Sequence, residues 1–133
     1  MARTDHFFLL LIFLTIIFPA CSKSKGAYDC ISYSKSPVIK VEGPNTGPVN
    51  QDINLTITYG IDNGCGQFDH YEKTVNGNTT TIDVVGKYTG CICTQVYQEL
   101  QSPYTFKATS TGTYYLEFFH DANTVVKDTI MIQ

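Results

Sequence analysis

An all-β sandwich is the fold that this chain of 133 residues predicts, and three observations carry the prediction. From Ser36 onward, apolar residues recur at every second position, the period of a strand with one buried face. Clusters of Gly, Pro, Asn and Asp interrupt these runs every ~8–12 residues, the spacing of an all-β domain. Nine tyrosines, no tryptophan and threonine in nearly every segment suit strands far better than helices.

The elements follow in order. Ile39 and Val41 alternate with Lys40 and Glu42 until Gly43-Pro44-Asn45 ends the run. The cleanest strand comes next, with Ile53, Leu55, Ile57, Tyr59 and Ile61 on one face and Asn54, Thr56, Thr58 and Gly60 on the other. Asp62-Asn63-Gly64 turns the chain into Cys65 and a strand over 68–75. Asn76-Gly77-Asn78 then leads into 79–88, where Ile82 and Val84 alternate with Thr81 and Asp83. The segment 91–102 is irregular: Val96 and Leu100 have the i,i+4 spacing of a short helix, and a disulfide-pinned loop is the alternative. Period two returns with Tyr104, Phe106 and Ala108, then with Tyr114, Leu116 and Phe118. A turn at Asp121-Ala122-Asn123 precedes a last strand carrying Ile130 and Ile132.

About seven strands in roughly 100 residues is the pattern of an immunoglobulin-like or fibronectin-like sandwich. Gly112-Thr113-Tyr114-Tyr115-Leu116 resembles the tyrosine corner of that superfamily, with Leu116 where antibody domains place a cysteine. The absence of tryptophan excludes a Cys–Trp–Cys core, so the resemblance implies the looser bacterial branch.

The N-terminus is of another kind. The apolar run from Phe7 to Phe18 is shorter than the ~20 residues a spanning helix needs. It suits the h-region of a secretory signal, ~7–15 residues after a basic start, here Arg3. An uncleaved anchor is the alternative. Because the run ends in Pro19-Ala20-Cys21-Ser22, it resembles a bacterial lipoprotein precursor. The resemblance implies cleavage before Cys21, a diacylglycerol on its thiol and often an acyl group on its amine. Two or three chains, at ~0.8 kcal/mol per buried methylene, hold such a protein stably on a membrane. The Phe-rich run and Ser22-Lys23-Ser24-Lys25 look like lipoproteins of the Bacteroidota. Gly64-Cys65-Gly66-Gln67-Phe68 and Gly90-Cys91-Ile92-Cys93-Thr94-Gln95 look like small members of the same group, a likeness that brings no activity. The implied organisation is a signal peptide over 1–20, a lipidated cysteine and flexible tether over 21–35, and an Ig-like domain over 36–133. Surface lipoproteins of that phylum often carry acidic residues after the cysteine; with lysines there instead, the resemblance implies an outer-membrane protein of the cell envelope facing the periplasm.

Assigning Cys21 to lipid leaves Cys30, Cys65, Cys91 and Cys93, an even set expected to pair in an oxidising compartment. Cys91 and Cys93 share a face of an extended strand and are not expected to bond each other. Cys65–Cys91 with Cys30–Cys93 is the expected pairing, its converse the alternative. A zinc site would need a second close ligand pair, which the spacing lacks.

Net charge is −3, with Lys and Arg scattered, so there is no electrostatic footprint for nucleic acid. His70 and His120 stand beside Asp69 and Asp121, but neighbours on a strand point to opposite faces, so no His–Asp dyad is expected. Cys65 and His70 are separated in the same way. Pairs such as Asp62 with Asp69, or Glu72 with Asp83, have no diagnostic spacing. Asp52, Asp62, Asn63 and Asp69 would bind calcium only if their loops converged. No phosphate loop, zinc helix or nucleophile elbow is present. No catalytic residue, metal or cofactor is therefore expected. Asn54-Leu55-Thr56 and Asn78-Thr79-Thr80 match the N-glycan sequon, and Asp128-Thr129-Ile130 resembles the Bacteroidota O-glycosylation motif, with Thr129 as acceptor on an exposed edge. The expected function is a non-enzymatic binding or assembly domain, held to a membrane through Cys21, meeting a protein or glycan partner through Tyr71, Tyr97, Tyr115 and Phe119. An inhibitor that inserts the 91–102 loop into an enzyme is the alternative, and an enzyme lacks any convergent dyad.

Overall fold

A computed structural model describes residues 30–133, so the apolar run and Cys21 lie outside the described residues. Nine strands follow one another: β1 (Ile31–Ser36), β2 (Val38–Glu42), β3 (Thr46–Gly47), β4 (Ile53–Ile61), β5 (Gly66–Asn76), β6 (Thr79–Thr89), β7 (Gln98–Phe106), β8 (Gly112–Phe119) and β9 (Val125–Ile132). They form two sheets, β2-β4-β7 and a larger one in the order β1-β6-β8-β9-β3, with β5 also paired to β6. The all-β sandwich is as expected, and its two additional strands are β1 and the two-residue β3.

The core lies between the sheets. Ile53, Leu55, Ile57, Tyr59 and Ile61 of β4 are all buried and face Ile82 and Val84, Leu116 and Phe118, and Ile130 and Ile132. Each set keeps the period of two read in the sequence. At ~25 cal/mol per Å² of apolar surface, complete burial of one such side chain contributes ~1.5–3 kcal/mol.

β6 organises the larger sheet. β5 runs antiparallel along one edge, joined by the two-residue turn Gly77-Asn78, whose first residue has φ 59°. A primed hairpin turn requires positive φ there, which glycine adopts without steric cost. The other edge of β6 is shared: residues 79–82 pair in parallel with β8, and residues 84–89 pair antiparallel with β1. The parallel pairing follows from β7, which carries the chain through the opposite sheet and back. Immunoglobulin sandwiches are built from antiparallel sheets, so this placement of the hairpin departs from their plan.

Three local expectations are corrected. The flexible tether read over 21–35 does not hold for residues 31–35, which belong to β1; the rest of that stretch before Cys30 lies outside the described residues. In β2 the inward residues are Val38 and, in part, Val41, whereas Ile39 is exposed; a register shift between Val38 and Lys40 inserts the extra residue. Of the two readings of 91–102 the disulfide-pinned loop holds for residues 91–97 and the helix does not, while residues 98–102 open β7, where Leu100, Ser102, Tyr104 and Phe106 share one face. Pro103 obscured this strand in the sequence, and β7 accommodates it because edge strands need fewer ladder donors.

The tyrosine corner is present. Tyr114 Oη donates to the Ser110 carbonyl at 3.0 Å and lies 2.9 Å from Ser110 Oγ, closing the turn between β7 and β8.

Candidate functional site

The four described cysteines meet at one end of β6. Ile31 pairs with Thr89 in β1–β6, which carries Cys30 alongside Gly90, whose N–H donates to the Cys30 carbonyl at 2.8 Å. On the opposite edge Thr89 N–H donates to the Cys65 carbonyl. Cys30 and Cys65 therefore flank the end of β6. The bridges are Cys30–Cys91 and Cys65–Cys93, which corrects the expected pairing of Cys65–Cys91 with Cys30–Cys93. The expectation failed because 91–93 is a bend and not an extended strand: Cys91 turns to the β1 side, and Cys93 returns to the β5 side. Gly90 makes that bend, with φ 144° and no room for a Cβ, which would lie 2.9 Å from Cys65 Sγ.

The bridged loop exposes apolar side chains. Ile92 is 96% exposed between the two bridges, Val96 and Tyr97 are about half exposed a few residues on, and Ile31, next to the bridged Cys30, is half exposed as well. The loop is nonetheless fixed. Gly64 N–H donates to the Thr94 carbonyl, and Tyr97 lies against Gly60, where a Cβ would collide with its ring.

The outer face of the large sheet carries charges. Lys35 binds Asp83 at 2.6 Å and stands 5.7 Å from the Phe119 ring centroid, with Glu72 opposite Asp83. The carboxylates at 72 and 83 thus stand opposite each other on an exposed surface, Asp83 paired with Lys35 and Glu72 3.7 Å from His70 Nε2. Asp69 and His70 also come together, contrary to expectation, with His70 Nδ1 2.6 Å from Asp69 Oδ2. A bulge between Phe68 and His70 breaks the alternation that would have separated them. The hydrogen bond to Asp69 raises the His70 pKa above its ordinary value of 6.5. That bulge also turns Phe68 and Tyr71 to the same inward side. Tyr71 packs on the core, 5.1 Å from the Tyr104 ring, and its hydroxyl meets Ser102. The expected patch of Tyr71, Tyr97, Tyr115 and Phe119 is therefore not one surface.

The remaining residues singled out are dispersed. Asp52 pairs with Lys107, and Asn63 Oδ1 accepts from Cys65 N–H. Among the described residues no three His, Cys, Asp or Glu side chains gather as metal ligands. His120 Nδ1 donates to the Val38 carbonyl at 2.7 Å, tying β8 to β2. Asp121 caps the following turn, and bonds from Asn123 N–H and Thr124 hold its pKa below the usual value. Thr129 is exposed on β9, whose edge beyond residues 131 and 132 has no strand beside it among the described residues.

At the other end of β6 a cleft of about 230 Å³ opens between the β5–β6 hairpin and β7. Tyr104, Phe106 and Tyr114 form its aromatic wall, and Lys73, Val75, Gly77, Thr80, Thr105 and Lys107 line the rest. Lys107 is neutralised by Asp52, whereas Lys73 makes no ion pair among the described residues. Lys73 stands opposite the buried Ile82, on the inward side of β5, and so faces this opening. The lining contains no His, Cys, Asp or Glu. Sequence reasoning missed the cleft because its walls come from strands 30 residues apart, and only the lysine at an inward position hinted at it.

A protein-family model described as the ORF11 beta-sandwich domain matches residues 55–132. The chain belongs to that family. The match spans β4 to β9, so the ORF11 beta-sandwich region contains the Cys65–Cys93 bridge and the cleft. β1 to β3 and Cys30 precede it. No match was found among curated proteins or solved structures.

Proposed function

We propose that this protein is a lipid-anchored envelope lipoprotein of the Bacteroidota type, whose ORF11 beta-sandwich domain binds a partner at the end remote from the anchor. One observation carries the reading: Cys30, the first described residue after the tether, and the aromatic cleft lie at opposite ends of β6. At ~3.3 Å per residue, the nine steps of β6 from Thr89 to Thr80 separate them by ~30 Å. The anchored end faces the membrane, and the cleft is held out toward the surrounding compartment.

The cleft suits a carboxylate-bearing segment of a glycan or peptide. Aromatic rings provide stacking area, and Lys73 provides an uncompensated cation beside them. A lining without acid–base pairs supports binding over catalysis. Thr129, exposed on β9, is an O-glycosylation acceptor in this reading.

The test is binding of the purified protein to acidic and neutral glycans and to acidic peptides, beside a Lys73→Glu variant. An acidic ligand is expected to bind, and loss of its charge-assisted bond, ~1.5–3 kcal/mol, weakens it at least ~10-fold in the variant. Equal binding by the variant removes the cleft from the reading, and turnover of a ligand removes the binding function. Mass measurement tests the anchor: acyl mass on Cys21 is expected, and a complete N-terminus refutes it.

A further inference from the structure

We infer that the bridged loop around Ile92 docks against the lipid surface to which the chain is anchored. The docking rests on the anchor proposed above. An isoleucine 96% exposed is costly to leave in water, and its surroundings prevent collapse. Both flanking residues are cysteines, bonded to the residues that lead into β1 and into β5, so the side chain is held out from the body of the protein. Ile31, Val96 and Tyr97 surround this end with further exposed apolar surface.

The occupant follows from where the preceding chain arrives. Cys30 is bonded to Cys91, next to Ile92, and is nine residues from Cys21. Nine residues span at most ~32 Å fully extended. A lipid surface holding Cys21 is therefore within reach of this end at high effective concentration. Lys23 and Lys25 lie in the same short connection and favour an anionic headgroup layer. An exposed aliphatic tip beside a tyrosine is the composition that enters the boundary between headgroups and acyl chains. The same orientation turns the loop away from soluble enzymes, which weighs against the inhibitor reading.

The chain has no tryptophan, so a single one reports position. Ile92→Trp and Tyr115→Trp are made in the full chain. Tyr115 pairs with Thr79 at the remote end of β6. Each lipidated protein is reconstituted in vesicles of phosphatidylglycerol and brominated-acyl phosphatidylcholine. For the variant at 92, a blue-shifted emission, quenching by the brominated chains and protection from aqueous acrylamide are expected. For the variant at 115, none of these is expected. Acyl mass on Cys21 together with equal acrylamide quenching of both tryptophans overturns the docking and leaves the anchor standing. A protein without acyl mass that stays in the aqueous phase overturns both. Capture of a soluble enzyme by the wild-type loop, lost in Ile92→Asp, likewise overturns the docking.

Discussion

The two ends of the sandwich are held together by different physics. At the bridged end the chain is confined by covalent links around a loop whose apolar tip is almost wholly exposed. At the cleft end the work is done by contacts formed only in the folded state: the Tyr104–Phe118 and Phe106–Tyr114 ring pairs and the hydroxyl of Tyr114. Disulfides act largely by restricting the unfolded chain, whereas ring packing and hydrogen bonds stabilise the native one. One protein can thus be loosened at either end by separate means.

The largest effect is expected from removing bridges. Cys30→Ser with Cys91→Ser should cost ~4 kcal/mol, and Cys65→Ser with Cys93→Ser ~3.5 kcal/mol, for closed loops of 61 and 28 residues. Denaturant titration reads the loss, and hydrogen exchange should locate it at β1 and the 90–97 loop, with the Tyr114 turn protected. Uniform loss of protection would dissolve the contrast between the ends. Gly90→Ala comes next, at ~1–3 kcal/mol, because φ 144° and contact with Cys65 exclude a side chain. A thermal midpoint equal to that of the wild type would refute it.

At the other end, Tyr114→Phe removes one hydroxyl bonded to the Ser110 carbonyl and should cost ~0.5–1.5 kcal/mol without altering the disulfides. Ser36→Ala should be neutral or stabilising by up to ~1 kcal/mol, since Ser36 Oγ is buried without a partner where the chain crosses between sheets. Marked destabilisation would show that the hydroxyl is satisfied. The smallest effect concerns His70. Its raised pKa means that the bond to Asp69 contributes fully below pH 6.5 and is lost as pH rises through the raised value. An NMR titration should show a pKa above 6.5 that falls in Asp69→Asn.

The sequence was most readable where the two faces of a strand differ most. β4 alternates buried aliphatics with threonines and asparagine, so its register is visible without a structure. β1 is the opposite case: Ile31 and Tyr33 alternate with serines but lie on the exposed face, and of its residues only Ser36 is buried, so its pattern points the wrong way. Its pairing is set by the distant β6, as is the choice between Cys91 and Cys93 for Cys30. In β5 a single inserted residue at the bulge reversed the alternation, moving Tyr71 into the core and Asp69 beside His70. The tyrosine corner was legible because it is local, spanning residues 110–114. The cleft was not, since non-local packing alone brings Lys73 to Tyr104 and Phe106.

The position of the Cys30–Cys91 bridge also bears on tension. A pull arriving through the residues before Cys30 would strip β1 from β6 one pair at a time, starting at Ile31 and Thr89. Such unzipping meets a single ladder rung at each step and yields at low force. The bridge lies ahead of the first rung and passes the pull directly to Cys91, beyond the end of β6. Acting as a rivet at the mouth of a zipper, it makes the peeling of β1 depend on a covalent bond instead of one pair of hydrogen bonds.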